Sequence, residues 1–256
     1  EILYQMLAAQ NVETLGEVGA QRIVVTCAHC FNTISREYPQ IGGHFEVLHY
    51  TQLLNRLVRE GRLRPAPPQA TGGSAASDAP SASAAPATST PTSEQGGGSP
   101  TEDAPTSSTE AAEPQAAAPA ESSGEEATGK AAGEPVIPTV TYHDACYLGR
   151  HNRIYSPPRE LLAATGAEQV EMPRNHERAF CCGGGGARAF MEETIGTRIA
   201  ATRAREALDT GAKIVATACP FCTTMLSDGV ASQGAEDVRV MDVAQLMLEA
   251  VKRGNN

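Results

Sequence analysis

The chain has 256 residues and a formal net charge of −10, with 41% hydrophobic residues, 4% aromatic residues and no tryptophan. Ten acidic residues and one basic residue, Lys130, lie between Ala66 and Pro135, so this segment carries −9 of the charge and the remainder is nearly neutral. The composition therefore excludes the basic surface of a nucleic-acid-binding protein, and the sequence contains no apolar run long enough to span a membrane.

Strand and helix patterns alternate in residues 1–65. Apolar residues such as Ile2, Leu3, Met6 and Leu7 predict a helix at the very start, without an initial methionine or a signal peptide, and we interpret the chain as a fragment of a longer protein. The β-branched run RIVVTC predicts a strand that ends in cysteine, and FEVLHY predicts a second strand. TQLLNRLVREG has apolar residues at helical spacing and ends in glycine, so it predicts a helix.

The middle segment, residues 66–137, has the composition of a linker. It consists mainly of Ala, Pro, Ser, Thr, Gly and Glu, with almost no Leu, Ile, Val or Phe. Such a segment cannot bury enough apolar surface to offset the entropy lost on ordering. The sequence therefore predicts a disordered linker between two folded segments, residues 1–65 and 138–256.

The second folded segment shows the same alternation. TVTYHDAC predicts a strand that leads into cysteine, SPPRELLAATG predicts a helix opened by proline, and a long helical pattern runs from about Ala187 to Leu208. KIVATACPFC predicts a strand followed by a CxxC pair. VRVMDVAQLMLEAVKRG predicts a last strand and helix, with Asp242 and Gln245 placed as in a capping box.

The two folded segments resemble each other. Gln52 and Gln245 lie 22 and 23 residues after the second cysteine of their CxxC pairs, within similar strand and helix patterns. We infer two copies of one cysteine-rich α/β unit, of which the first lacks its N-terminal half. Alternating strands and helices predict the α/β class with mostly parallel sheets, and cysteines at strand ends predict chemistry at the carboxyl edge.

The second unit contains five clustered cysteines. Thirty-four residues separate Cys146 from the adjacent pair Cys181 and Cys182, and 36 residues separate Cys182 from the CxxC pair Cys219 and Cys222. An odd total of seven cysteines and the lack of an export signal argue against a disulfide framework. Five thiolates from three loops fit an iron–sulfur centre, because adjacent cysteines can hold two irons of one cluster. Structural zinc, which takes four ligands, is the alternative.

The first unit contains only Cys27 and Cys30, in the sequence CAHC. Such a pair is consistent with half of a metal site, a redox pair or an unused half-site. His29 lies between the two cysteines. It is either a further metal ligand or a residue that contacts the metal ligands.

The spacing C-x34-CCG-x36-CxxC resembles the cysteine-rich CCG domain that is shared by heterodisulfide reductase, the glycolate oxidase iron–sulfur subunit and related Fe–S oxidoreductases. The wider sequence TYHDACYLGRHN, with CCGGGG and TACPFC, is most similar to the C-terminal part of actinobacterial membrane-bound Fe–S reductases linked to electron-transfer flavoprotein and menaquinone. The resemblance covers residues 1–61 and 140–254, but not the linker.

This resemblance implies that the five cysteines bind a [4Fe–4S] cluster, which is non-cubane in the reductase, and that Cys27 and Cys30 belong to an incomplete first site. It implies electron transfer from a flavoprotein to a quinone at the cytoplasmic face of the cell membrane, with the anchor in an N-terminal part outside this chain. The alternatives are a soluble heterodisulfide-reductase-like or 2-hydroxy-acid oxidase subunit, and a non-catalytic zinc-binding scaffold.

Residues beside the cysteines are predicted to support the cluster: His143, Arg150, His151, Gly183 and Gly184. An arginine would offset the negative charge of the cluster, and glycines let the backbone approach it and donate N–H groups to its sulfurs. The alternatives are a structural histidine at a strand end and ordinary surface arginines. The glycine run lacks the trailing lysine of a phosphate-binding loop.

Overall fold

The computed structural model describes residues 2–68 and 139–254, which belong to one compact unit. Its helices are α1 Ile2–Glu17, α2 Ala28–Asn32, α3 Tyr50–Arg59, α4 Ser156–Ala164, α5 Ile199–Leu208, α6 Pro220–Ala231 and α7 Val243–Gly254. Its strands are β1 Arg22–Val25, β2 Glu46–His49, β3 Thr139–His143, β4 Glu168–Gln169, β5 Ile214–Thr217 and β6 Arg239–Asp242. None of these helices is long and apolar enough to cross a membrane.

The strands form two sheets, and every pairing is parallel. One sheet has the order β1-β2, and the other has the order β4-β3-β5-β6. The register aligns the carboxyl ends of three strands, because His143 pairs with Thr217 and Thr217 pairs with Asp242. The predicted α/β class with mostly parallel sheets is confirmed, and the strand ends converge on one edge.

The central strands of the larger sheet are rich in β-branched residues and are buried. All four residues of β5 are buried, as are four of the five residues of β3. Buried side chains from the strands and helices form one core: Val140, Tyr142, Leu161, Leu162, Ile214, Val215, Leu226, Leu246 and Met247. On the helical layers, α3 packs against α4, α4 against α7, and α5 against α6.

The two strand-to-helix turns after β2 and β6 have matching caps. The backbone N–H of His49 donates to Gln52 Oε1 at 3.0 Å, and the backbone N–H of Asp242 donates to Gln245 Oε1 at 2.9 Å. Such contacts satisfy N–H groups that a helix start otherwise leaves unpaired. The capping pair predicted at α7 is therefore present, and its counterpart at α3 supports the inference of a repeated unit.

The helix predicted from Ala187 to Leu208 is wrong in its first half. α5 begins only at Ile199, whose N–H donates to Glu193 Oε2 at 2.9 Å. Gly196 adopts a φ of 69°, outside the helical region. Ile195, one of the residues that gave the apolar pattern, is 93% exposed. A side-chain cap and a left-handed glycine therefore place the start of the helix after the glycine.

Helices α5 and α6 cross each other closely. A Cβ placed on Gly229 of α6 would lie 2.6 Å from the carbonyl oxygen of Ala200 on α5. Glycine is therefore required for the two backbones to come this near. The crossing holds α5 so that Arg203 reaches the end of β3, where its Nε donates to His143 Nδ1.

The segments before and after the predicted linker pack against each other. Tyr50 donates to Asp242 Oδ1 at 2.6 Å, and Asn55 donates to Glu160 Oε2 at 2.8 Å. The N–H of Ala66 donates to the carbonyl of Ala250. Apart from Ala66–Pro68, the segment predicted to be disordered, residues 66–137, lies outside the described residues. The predicted domain boundaries stay predictions.

Candidate metal centre

Cysteines follow the carboxyl ends of three parallel strands. Cys27 comes two residues after β1, Cys146 three residues after β3, and Cys219 two residues after β5. Cys27 and Cys219 occupy the N-cap positions of α2 and α6. The backbone therefore turns near each sulfur, and the parallel register of β3 and β5 brings the turns after these two strands to one edge of the larger sheet.

Six of the seven cysteines form a continuous set of neighbouring thiols, which we call the thiol group. Hydrogen-bond contacts join their side chains in this order: Cys146, Cys181, Cys182, Cys222, Cys219 and Cys27. Cys146 and Cys181 are partly exposed, whereas the other four are buried. The five cysteines predicted to act together are thus neighbours.

The position of Cys27 was not expected from the sequence. Its sulfur lies within 4.8 Å of the Cys219 sulfur, so the first CxxC pair faces the second instead of forming a separate half-site. Cys30 is exposed and stands outside the thiol group, although its backbone N–H contacts the Cys27 sulfur. The backbone N–H of Cys222 contacts the Cys219 sulfur in the same way.

The glycine run brings backbone donors to the sulfurs. The N–H of Gly183, whose φ is 91°, donates to Cys181 Sγ at 3.2 Å, and the backbone at Gly184 is in hydrogen-bond contact with Cys182. A Cβ at Gly184 would lie 3.2 Å from Met225 and 3.7 Å from the Cys182 sulfur. Both predicted glycines therefore contact cysteines of the thiol group through their backbone.

Hydrogen bonds among the thiols divide them into two classes. Contacts from Cys146 and Cys182 hold the pKa of Cys181 well below that of a free thiol, and contacts from Cys222 and Cys27 do the same for Cys219. The partner thiols have raised pKa values, and the contact with Cys181 raises the pKa of Cys182 to about 11. Without metal, these contacts favour the thiolate form at Cys181 and Cys219, which is the form that binds metals.

Arg150 and His151 occupy different surroundings. Arg150 Nη2 donates to Cys146 Sγ at 2.9 Å, which places a positive charge beside the thiol group. His151 stacks on Tyr147 with ring centroids 4.6 Å apart. Tyr147 in turn contacts the ring of His29, whose Nδ1 is 3.9 Å from the sulfurs of both Cys27 and Cys219. His151 therefore belongs to an aromatic row beside the thiol group.

His143 and Arg203 lie behind the thiol group, and both side chains are fully buried. The Nε of Arg203 donates to His143 Nδ1 at 3.1 Å, and its Nη1 donates to Glu206 Oε2 at 2.8 Å. Burial lowers the pKa of His143 to about 3, so the ring is neutral. Its other nitrogen, Nε2, has no hydrogen-bond partner among the described residues. One ring nitrogen of His143 lies within 4.8 Å of the sulfurs of Cys182 and Cys222, and Nδ1 is the nitrogen already held by Arg203.

Arg203 was missed by the sequence argument, although a signal was present. It lies on the same helical face as Ala200, Ala204 and Ala207, all of which are buried. An arginine on the apolar face of a helix must be paired or serve a buried site, because an isolated buried charge is costly.

The donor set fits a thiolate-bound metal cluster. Among the described residues, two groups with metal-ligand spacing belong to this site: Cys27, His29 and Cys219, and His143, Cys182 and Cys222. The third such group contains Asp144 and Glu171, but Arg159 already forms ion pairs with both carboxylates. Cysteine thiolates in contact, with N–H donors around them, are the ligands that iron–sulfur clusters use. The fold and site therefore define a cysteine-rich metal-binding module.

Comparison with known proteins identifies the family. Residues 1–35 and 140–227 match the model of the CCG family, which is described as a cysteine-rich domain. The chain belongs to this family, and the resemblance to the CCG domain inferred from the cysteine spacing is confirmed.

Three relatives cover nearly all of the chain. It is 31% identical to the EtfAB:quinone oxidoreductase of Syntrophomonas wolfei, over 98% of this chain and 27% of the relative. It is 31% identical to FadF of Bacillus subtilis, named "Probable iron-sulfur-binding oxidoreductase", over 98% of this chain and 26% of the relative. It is 28% identical to one subunit of the dihydromethanophenazine:CoB–CoM heterodisulfide reductase of Methanosarcina barkeri, over 96% of this chain and 44% of the relative. The chain spans about a quarter of the length of the first two relatives.

Proposed function

We propose that this chain is an electron-transferring module in which one [4Fe–4S] cluster passes electrons from a flavoprotein to a quinone. The continuous thiol group, Cys146 to Cys27, carries this proposal. The name of the Syntrophomonas relative, EtfAB:quinone oxidoreductase, supports the choice of donor and acceptor. The names of the other relatives support the redox class.

The proposed cluster ligands are the five cysteines of the second unit: Cys146, Cys181, Cys182, Cys219 and Cys222. Cys27 would approach the cluster from the first unit, since it contacts Cys219. A bound cluster would accept and release single electrons, and the protein supplies ligation, charge compensation and control of solvent access. We also propose the boundaries 1–65, 66–137 and 138–256 for the two units and the linker.

The residues around the thiol group have distinct parts in this function. Arg150 offsets negative charge at the exposed side, beside Cys146. The N–H groups of Gly183 and Gly184 face sulfurs of the central pair. The buried thiols Cys182, Cys219 and Cys222 lie away from solvent, which limits hydrolysis and uncontrolled oxidation of a bound cluster.

Metal content tests the proposed cofactor. The chain, purified without oxygen and reconstituted with iron and sulfide, should carry iron and acid-labile sulfide and show an EPR signal in one oxidation state. Cys181→Ser should lose or alter this signal, because Cys181 lies between two other thiols. Cys30→Ser is the matched control, since Cys30 is exposed and outside the thiol group. A colourless protein that holds only zinc would contradict the proposal and support the zinc-binding scaffold.

Electron exchange tests the proposed partners. The reconstituted module should be reduced by a reduced electron-transfer flavoprotein and reoxidised by a water-soluble menaquinone analogue, with changes in absorbance as the measurement. Association with the inner face of the cell membrane is a proposal for the full-length protein. Fractionation of cells that produce the full-length protein tests it, and recovery only in the supernatant would favour the soluble reductase-like or 2-hydroxy-acid oxidase subunit.

A further inference from the structure

We propose that His143 donates a hydrogen bond from Nε2 to the sulfur of Cys182 or Cys222, and that Arg203 fixes the tautomer which makes this possible. The tautomer is a property of the chain. The hydrogen bond to a metal-bound sulfur and its consequence, a raised reduction potential of the centre, rest on the proposed cluster.

The tautomer follows from the contact between the two side chains. Arg203 Nε lies 3.1 Å from His143 Nδ1, and a guanidinium can only donate. Nδ1 must therefore accept, and the single proton of the neutral ring is on Nε2. Because Arg203 is fully buried and its Nη1 is held by Glu206 and by the carbonyl of Arg174, it keeps this orientation.

The surroundings of Nε2 identify the acceptor. This atom is buried and has no hydrogen-bond partner among the described residues. A ring nitrogen of His143 lies within 4.8 Å of the sulfurs of Cys182 and Cys222, and Nδ1 is already engaged by Arg203. A buried N–H is strongly favoured to pair with an acceptor that is near. The raised pKa values of Cys182 and Cys222 favour thiols, which are weak acceptors, whereas a metal-bound thiolate accepts such a bond more strongly.

The pair also determines the charge around the centre. Arg203 brings a buried guanidinium, paired with Glu206, into contact with His143. Reduction adds negative charge to a cluster, and both an N–H donor and a nearby cation stabilise the reduced state more than the oxidised one. His143 and Arg203 are therefore positioning residues that raise the potential of the bound cluster.

The wild-type chain gives the first test. In nitrogen-15 NMR of the histidine-labelled full chain, purified without oxygen, the signals of His143 should show Nε2 protonated and Nδ1 unprotonated. Comparison with His143→Gln assigns the signals. A proton on Nδ1 would overturn the proposal. This measurement needs neither a cluster nor a variant that folds perfectly, so it stands even if the proposed cofactor is wrong.

Variants give the second test. His143→Leu removes the donor, and Arg203→Met removes the charge and frees the tautomer, so both should shift the midpoint potential of the reconstituted cluster to more negative values. His143→Gln, which keeps an N–H donor, should have a midpoint potential between those of His143→Leu and the wild type. Arg205→Met is the control, because Arg205 is exposed on the same helix. An unchanged potential in His143→Leu at equal iron content would refute the role in setting the potential.

Discussion

At the residue scale, the division of the thiol group into thiolates and thiols has a chemical consequence. Neighbouring thiols hold the pKa of Cys181 well below that of a free thiol, and this side chain is partly exposed. A lowered pKa keeps the reactive thiolate present as pH falls. We expect iodoacetamide to label Cys181 in the folded, metal-free chain at pH 5.5. At the same pH, labelling of Cys181 in the urea-unfolded chain should be slower by about tenfold or more.

Peptide mass spectrometry at several pH values measures this labelling. Cys222 serves as the internal comparison, because it is buried and its contact with Cys182 raises its pKa. It should remain unlabelled until the chain unfolds. Equal pH profiles for Cys181 in the folded and unfolded chains would contradict the assignment of a thiolate there.

Glu206 provides a second prediction, on stability. Burial alone would raise its pKa, but hydrogen bonds from Arg174 and Arg203 hold the pKa below its usual value of 4.5. Such a carboxylate stabilises the fold above its unfolded pKa, and the contribution is lost as pH falls through the folded pKa. Glu206→Gln should lower the free energy of unfolding by about 3 kcal/mol at pH 7, because buried Arg203 loses its counter-charge.

Denaturant unfolding at pH 7 and pH 3 separates this effect from a general loss of packing. The difference between wild type and Glu206→Gln should be smaller at pH 3, because the contribution of the carboxylate begins to be lost below its unfolded pKa of 4.5. Glu249→Gln is the control, since its contact with Arg239 is long and exposed and is expected to contribute less than about 1 kcal/mol. A difference that is the same at both pH values would count against the ion pair as the cause.

At the element scale, the crossing of α5 and α6 depends on one glycine. A Cβ at Gly229 would meet the carbonyl oxygen of Ala200 at 2.6 Å, so Gly229→Ala must push the helices apart. We expect a loss of about 2 kcal/mol in stability, in spite of the higher helix propensity of alanine. Gly16→Ala in α1 is the control, because its Cβ would have open space. Thermal unfolding of both variants measures the contrast, and a Gly229→Ala protein as stable as Gly16→Ala would disprove the close crossing.

The same elements show what local sequence could predict. Strands β3 and β5 were predictable because buried parallel strands need apolar, β-branched residues over four or five positions. The start of α5 was not, because it depends on Glu193 reaching back to the N–H of Ile199 and on the left-handed Gly196. An apolar periodicity alone does not reveal either contact.

The site was predictable to a similar extent. The spacing of five cysteines indicated one centre, since Cys146 and Cys219 each follow a strand end and Cys181 and Cys182 are adjacent. The approach of Cys27 to Cys219 was not predictable, because it depends on how two units pack and not on spacing within either. Arg203 was accessible in principle as a charge on an alanine-lined face, but its partner His143 lies 60 residues away in the chain.

At the scale of the whole molecule, the thiol group draws on both folded segments, so their association is a condition for the complete site. Tyr50 of the first segment donates a 2.6 Å hydrogen bond to Asp242 of the second, and Tyr50 is buried. Asn55 and Arg59 of α3 both donate to Glu160 of α4. Polar contacts of this kind, next to a shared core, specify one arrangement of the two segments.

This arrangement predicts that the two segments associate without a covalent connection. Residues 1–71, carrying an affinity tag, should co-purify with residues 133–256 when the two are produced together. Tyr50→Phe should weaken the complex by about 1.5 kcal/mol, or roughly tenfold in Kd, because it removes the hydroxyl donor to the half-buried Asp242, which keeps only the N–H of Ala244 on that oxygen. Tyr4→Phe is the matched control, since the hydroxyl of Tyr4 contacts Glu37 within the same segment. Isothermal titration of the separated segments measures both variants, and failure of the wild-type segments to bind each other would show that the chain connection is needed to bring Cys27 to Cys219.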